Sequence, residues 1–420
     1  MVSGISRRGG WSASFAGRNG RRVSTVCSAL GALAVLSAGL APSATAIDAQ
    51  SEQWYLSAMK ADEMWKVSTG KGVKVAVVDT GVNPNTSSLK GQVLAEAPAA
   101  VAYKATEDYD GHGTSMAELI AGTGAGGGLK GLAPDAKIVP YRIATNALVG
   151  KADAKKAPEL ADVIRAIADS DAKIISMSVT SDIDDTEELA AVKYAQSKGK
   201  LMIAGTGNDA QTKNFIGYPA AYPYVVGVAA SDKAGTVGKF SEHGNYVDLA
   251  SPGLNVPLWC DNTFKSYCNG EGTSQATAIA SASAALVWSA HPDWTANQVL
   301  ASLIDTAGRD WAKDDPSTYL GYGLIRPRKV LEDSGYKPAA AGTDPLATEN
   351  AAGVDDSSAS PSASTSSQAP KDTSGGAASA AGSSSESSDD TTMWVTLGAA
   401  AAVLVIGGGA FAVIRARRRA

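Results

Sequence analysis

The run from Asn269 to Trp288 does most to limit what this chain can fold into. It reads Asn269-Gly270-Glu271-Gly272-Thr273-Ser274-Gln275-Ala276 and continues in small and apolar residues to Trp288. A helix that is apolar on nearly every face must be buried in a sizeable core. The glycines ahead of it suit a tight turn at its start. Ser274 then falls in the first turn, at the positive end of the helix dipole, where developing negative charge is stabilised. Taken alone, Gly-Thr-Ser before a helix reads as an N-cap more readily than as the seat of a nucleophile. The core is within reach of a chain of 420 residues that is 44% hydrophobic, as one large or two ordinary domains.

Strands and helices alternate upstream of that helix. Gly72-Val73-Lys74-Val75-Ala76-Val77-Val78-Asp79-Thr80-Gly81 is a β-branched run of the kind that forms a buried parallel strand, closed by Asp79. Ligands of open α/β sheets bind outside the carboxyl ends of the strands, so Asp79 is a functional candidate; a helix cap or turn aspartate is the alternative. Asp110-Gly111-His112-Gly113-Thr114 heads a short helical pattern, and the glycines let the backbone pass close to another group. His243 lies in a polar loop, and His291 precedes a Thr295/Gln298 pair at capping-box spacing; both read as structural. Strands are expected at 137–143, 174–179, 201–204 and 225–229, with helices at 159–169 and 186–197. Leu160, Val163, Ile164 and Ile167 share one face of the first of these helices. The pattern implies an α/β fold, a mostly parallel sheet with helices on both faces.

The ends are of a different kind. Residues 1–46 carry five arginines, an apolar stretch to Leu40 and Ala44-Thr45-Ala46, the plan of a signal peptide cut before Ile47. Arg21-Arg22 is the one hint of a twin-arginine route. From Pro338 to Thr392 the composition shifts to Ala, Ser, Gly, Pro and Asp, as in a disordered linker. Met393 to Ile414 is 22 residues without a charge, long enough to span a bilayer, and Arg415, Arg417, Arg418 and Arg419 follow. The positive-inside rule puts that tail in the cytoplasm and the rest of the mature chain outside, held to the membrane by one helix. Residues 47–392 hold 28 basic against 42 acidic side chains, a net charge of −14, so nucleic acid is a poor partner. Cys260 and Cys268 remain on the oxidising side, where a disulfide across a short loop is expected. Two cysteines and three histidines are few ligands for a metal site.

Asp79, His112 and Ser274 fit one scheme. A serine hydroxyl needs a base to take its proton, histidine is the base suited to neutral pH, and a buried carboxylate fixes its tautomer. The order Asp, His, Ser on an α/β chain is the order found in subtilisin. Residues 50–336 resemble the subtilisin-like serine peptidases, or subtilases. The resemblance rests on Lys74 to Gly81, His112-Gly113-Thr114, Gly272-Thr273-Ser274, Tyr218-Pro219-Ala220-Ala221-Tyr222-Pro223, Ala250-Ser251-Pro252-Gly253 and His291-Pro292-Asp293-Trp294-Thr295. It implies a subtilisin-like fold and cleavage of a protein or peptide substrate. It also implies that Asn208 of Gly205-Thr206-Gly207-Asn208 helps form the oxyanion hole. Ser178 would lie on the strand that pairs with an extended substrate, and Gly205 to Gly207 would line the opposite wall. Two departures stand out. Val179-Thr180 replace glycines that the family often has after that serine, which reshapes or narrows the specificity pocket. Ala278 stands where the family usually has proline. No segment resembles a calcium loop, so neither metal nor cofactor is expected.

The layout within the family resembles a mycosin, the membrane-anchored protease of actinobacterial type VII secretion systems. On that resemblance the domains are a signal peptide (1–46), an N-terminal extension (47–70), a peptidase domain (71–337), the linker (338–392), a transmembrane helix (393–414) and a basic tail (415–420). The extension is too short for a folded inhibitory propeptide, which needs roughly 60 residues, and reads as a wrapping segment. The resemblance also implies a type VII membrane complex as partner. A structural subunit with dispensable proteolysis is the second reading.

Overall fold

The computed structural model describes residues 48–352 apart from Val149. The expected signal peptide, the 393–414 span and the 415–420 tail lie outside the described residues. Among the described residues no helix is long and apolar enough to cross a membrane.

Six parallel strands form one sheet in the order β2-β1-β3-β4-β5-β6. They are β1 (Lys74–Asp79), β2 (Lys137–Arg142), β3 (Ile174–Met177), β4 (Leu201–Gly205), β5 (Val225–Ser231) and β6 (Leu249–Pro252). Nine α-helices are found among the described residues: α1 (Trp54–Ala58), α2 (Ala61–Met64), α3 (His112–Ala121), α4 (Leu160–Ala168), α5 (Thr186–Ser197), α6 (Thr273–Ala290), α7 (Ala296–Thr306), α8 (Pro327–Glu332) and α9 (Ala347–Ala352). Alternate strand residues serve two cores. Val75, Val77, Ile138, Ile174 and Ile203 face α3, α6 and α7. Ala76, Val78, Val139, Ile175 and Met202 face α4 and α5, whose Val163, Ile164, Ile167 and Val192 meet them. Burial on both faces explains the near-continuous apolar strands, and each large aliphatic side chain so buried contributes about 1.5–3 kcal/mol.

α6 is the axis of the first core. Every residue from Thr273 to Trp288 is buried except Ser274. Its small side chains let the sheet and α3 approach closely, and two of its buried hydroxyls are satisfied within the helix: Thr277 donates to Thr273 O and Ser283 to Ile279 O, each at 2.8 Å. The N-terminal segment wraps this side of the domain. Tyr55 and Met64 are buried, the Trp54 indole N–H donates to Leu254 O at 3.0 Å, and that of Trp65 donates to Leu132 O at 2.8 Å.

Two regions differ from the sequence reading. A hairpin of β7 (Val256–Trp259) and β8 (Tyr267–Gly270) follows β6 where no strand was expected, and across its loop Cys260 and Cys268 form the expected disulfide, with Cα atoms 5.1 Å apart. Residues 338–352, read above as the start of the linker, pack on the domain. Leu346 is 2% exposed, Asn350 Oδ1 accepts from Tyr224 N at 2.8 Å, and Glu349 bonds the Tyr322 hydroxyl.

Candidate active site

The carboxyl ends of β1, β3 and β4 open toward the first turns of α3 and α6, and the singled-out residues collect there. Asp79 ends β1 with its side chain 1% exposed. His112 opens α3, and its Nδ1 lies 2.7 Å from Asp79 Oδ1, with the ring 33% exposed. Gly113 is what permits this approach: a Cβ there would stand 2.2 Å from Gly81 O and 3.0 Å from Asp79 Cβ. The same Asp79 Oδ1 accepts the Thr80 backbone N–H at 2.7 Å, while Oδ2 is buried without a hydrogen-bond partner among the described residues.

A second carboxylate braces this corner. Asp108 accepts from the Thr80 hydroxyl (2.8 Å), the Gly111 N–H (2.8 Å) and the Thr114 N–H (2.8 Å), tying the strand end to the start of α3. The Thr80 hydroxyl oxygen in turn accepts the Gly113 N–H at 2.9 Å. The sequence reading missed Asp108. Its only signal is the acidic turn Glu107-Asp108-Tyr109-Asp110, which does not show which carboxylate turns inward. Burial opposes a charge on His112, but Asp79 in contact, with Asp108 and Asp110 nearby, carries its pKa up to about 9.

Ser274 is half-buried at the second helical position of α6. Its Oγ reaches Ser178 O at 3.5 Å, and Ser178 Oγ donates to Ser274 O at 3.2 Å. Among the described residues no hydrogen bond joins Ser274 Oγ to His112. Asn208 follows β4, and its Oδ1 accepts from the Thr273 N–H at 2.9 Å. That bond needs the amide oxygen, so the Nδ2 donors are left for another acceptor. The Ser274 N–H, in the first helical turn, likewise lacks an intrahelical acceptor. Two neutral donors and a helix N-terminus suit a developing oxyanion.

A cleft of about 940 Å³ runs along Asp79, His112, Ser178, Thr180, Asp209 and Tyr218. Gly205 and Gly207 are buried behind it. A Cβ on Gly205 would meet Thr273 Oγ1 at 2.8 Å, and one on Gly207 would meet the Glu242 carboxyl at 1.8 Å. Glu242 is fully buried, neither of its oxygens has a hydrogen-bond partner among the described residues, and burial with Asp209 nearby pushes its pKa up to about 8. Among the described residues no cluster of three or more His, Cys, Asp or Glu is arranged to hold a metal. His243 packs against Tyr319 and His291 stacks on Trp294 with ring centroids 3.8 Å apart, away from the site.

Known proteins resemble this chain in sequence and fold. The Subtilase family (peptidase S8) matches residues 70–323. The minor extracellular protease Epr of Bacillus subtilis (strain 168) is 34% identical over 299 residues, 69% of this chain but only 43% of that protein. Thermitase of Thermoactinomyces vulgaris is 32% identical over 278 residues, 64% of this chain and 95% of that protein. Among solved structures, the MycP3 protease from the type VII (ESX-3) secretion system superimposes with a TM-score of 0.57 at 29% identity, over 69% of this chain and 90% of that one. MycP1 from Mycobacterium smegmatis does so with a TM-score of 0.57 at 26% identity, over 69% of this chain and 86% of that one. The match to residues 70–323 covers more than half of the chain and takes in Asp79, His112 and Ser274, and the chain belongs to the subtilase family of serine peptidases.

Proposed function

We propose that the chain is an extracytoplasmic endopeptidase, anchored by residues 393–414, that hydrolyses peptide bonds through an acyl-enzyme on Ser274. The observation that carries this reading is the 2.7 Å contact of His112 with buried Asp79, at the mouth of the cleft beside Ser274. Asp79 holds the Nδ1 proton, so Nε2 is the basic nitrogen. It takes the Ser274 proton as Oγ bonds to the substrate carbonyl carbon. The carbonyl oxygen becomes an oxyanion held by Asn208 Nδ2 and the Ser274 N–H. The imidazolium then protonates the leaving amine as the peptide bond breaks. Water, deprotonated by the same nitrogen, bonds to the acyl carbon, and the imidazolium returns that proton to Ser274 Oγ as the ester bond breaks. The absent Ser274–His112 bond fits such a site, because catalytic hydrogen bonds tighten in the Michaelis complex. The disulfide supports a compartment outside the cytoplasm.

The likeness to MycP3 supports a place in a type VII secretion complex. A second reading has its own support: one similar structure, 29% identical with a TM-score of 0.56, is described as an essential component of the type VII (ESX-1) secretion system. On that reading this chain is a structural subunit and its proteolysis is dispensable. One experiment addresses both. Full-length wild type and Ser274→Ala are treated with a fluorophosphonate probe, and secretion is measured in cells carrying each. Labelling of wild type alone supports the nucleophile; equal labelling removes Ser274 from the mechanism. Normal secretion with Ser274→Ala, lost when residues 393–420 are deleted, favours the structural role.

A further inference from the structure

The gap beside the nucleophile is closed by one side chain. The segment after β3 lies against Ser274 through the paired Ser178 contacts, 3.2 and 3.5 Å. The segment after β4 lies on the other side, through Asn208 and the Thr273 N–H. A carbonyl under attack by Ser274 Oγ therefore sits between residues 178–181 and 205–208. The side chain of the residue that supplies this carbonyl starts one carbon away, so it is directed into the gap between these two segments.

Thr180 reaches across that gap from the cleft wall, where it is exposed. Its hydroxyl donates across it to Gly205 O at 3.2 Å. Its methyl Cγ2 lies 2.9 Å from where a Cβ on Gly217 would stand, so it also meets the third segment bordering the gap. The wall behind cannot retreat. Cβ positions on Gly205, Gly207 and Gly217 would fall 2.8 Å from Thr273 Oγ1, 1.8 Å from Glu242 Oε2 and 2.1 Å from Thr206 O, so no slack lies behind any of them. The rest of the cleft is roomy, about 940 Å³, and is partly lined by Ile143, Leu160, Val179 and Ile183. Space is thus restricted at one substrate residue and not along the whole peptide.

We propose that Thr180 is a specificity-determining residue: it limits the residue that supplies the attacked carbonyl to glycine, alanine or serine. The proposal rests on the serine-peptidase reading above. Matched fluorogenic peptides with Ala, Leu or Phe at that residue are compared on full-length wild type, Thr180→Gly and Thr180→Val. One methylene in a fitted pocket changes kcat/KM by roughly 10–200-fold. Wild type is accordingly expected to favour Ala over Phe by at least about 100-fold. Thr180→Gly shifts that ratio toward Phe by about tenfold or more. Thr180→Val keeps the volume, loses the hydroxyl, and keeps the wild-type preference. Wild type that cleaves Phe or Leu as fast as Ala overturns the proposal. So does an unchanged ratio in Thr180→Gly, or a Val variant as permissive as Gly. Calorimetric titration with the corresponding product peptides reads the same size preference without turnover. A protein that binds them with this preference but cleaves nothing would refute the peptidase reading and leave the role of Thr180 standing.

Discussion

Gly113→Ala is the sharpest test of how the site is assembled. The new Cβ would stand 2.2 Å from Gly81 O, where ordinary contact begins near 3.4 Å. The nearest atom is a backbone carbonyl oxygen and the next are Asp79 Cβ and Cγ, so no flexible side-chain end can absorb the overlap. Either the first turn of α3 or the end of β1 moves by about 1 Å, and His112 and Asp79 move with them. Their 2.7 Å contact has no slack for that shift. A displacement of about 1 Å in a catalytic geometry can cost about 100-fold in rate. Loss of the carboxylate that orients the histidine costs up to about 10⁴-fold in the comparable triad. Gly113→Ala is therefore expected to lower kcat/KM by about 10²–10⁴-fold and stability by about 1–3 kcal/mol. The assay pairs peptide hydrolysis with calorimetric Tm, so that a folded but slow enzyme is told from an unfolded one. A variant that folds and turns over at the wild-type rate would show that the approach of α3 to β1 does not set catalysis.

Other consequences follow from the buried charges. With the His112 pKa pushed to about 9, kcat/KM should rise about tenfold per pH unit between pH 7 and 8.5; a profile with its midpoint near 6.5 contradicts this. The same ionisation stabilises the fold below pH 6.5, and that contribution is lost as pH rises through 9, so Tm and rate should move in opposite directions across this window. Glu242 is raised to about 8, chiefly by burial. The folded state holds its proton where the unfolded chain has lost it, so Tm should fall from pH 5 to 8. Glu242→Gln should flatten that fall, and an unchanged slope refutes the assignment. Asn208→Ala removes an oxyanion donor and should lower kcat by about 10²–10³-fold with little change in KM; a change confined to KM would assign it to substrate binding instead.

The large elements were legible because their residues answer to a single demand. β1 reads as a strand since Val75 to Val78 are buried on both faces, and α4 reads as a helix since Val163, Ile164 and Ile167 recur on one side. The misses fall where a distant partner decides. β3 ends at Met177 and not at Val179, because Ser178 to Thr180 leave the ladder to border the cleft. β6 is four residues ending in proline, and it is a strand because β5 pairs with it from Val228 to Ser231. Residues 338–352 have the composition of a linker, yet Leu346 and Asn350 find partners on the domain. The catalytic candidates stood out for the opposite reason. Ser274 is the one residue from Thr273 to Trp288 that the core does not cover. Asp79 ends a strand whose four preceding residues, Val75 to Val78, are all apolar, and His112 stands between glycines that a left-handed turn at Gly111 and a close approach at Gly113 require. Chemistry shows in sequence where it breaks a packing rule. Thr180 breaks none: in sequence it stands out only against the glycines of the resembled family, and the spacing of two segments 25 residues apart is what lets its hydroxyl reach Gly205 O.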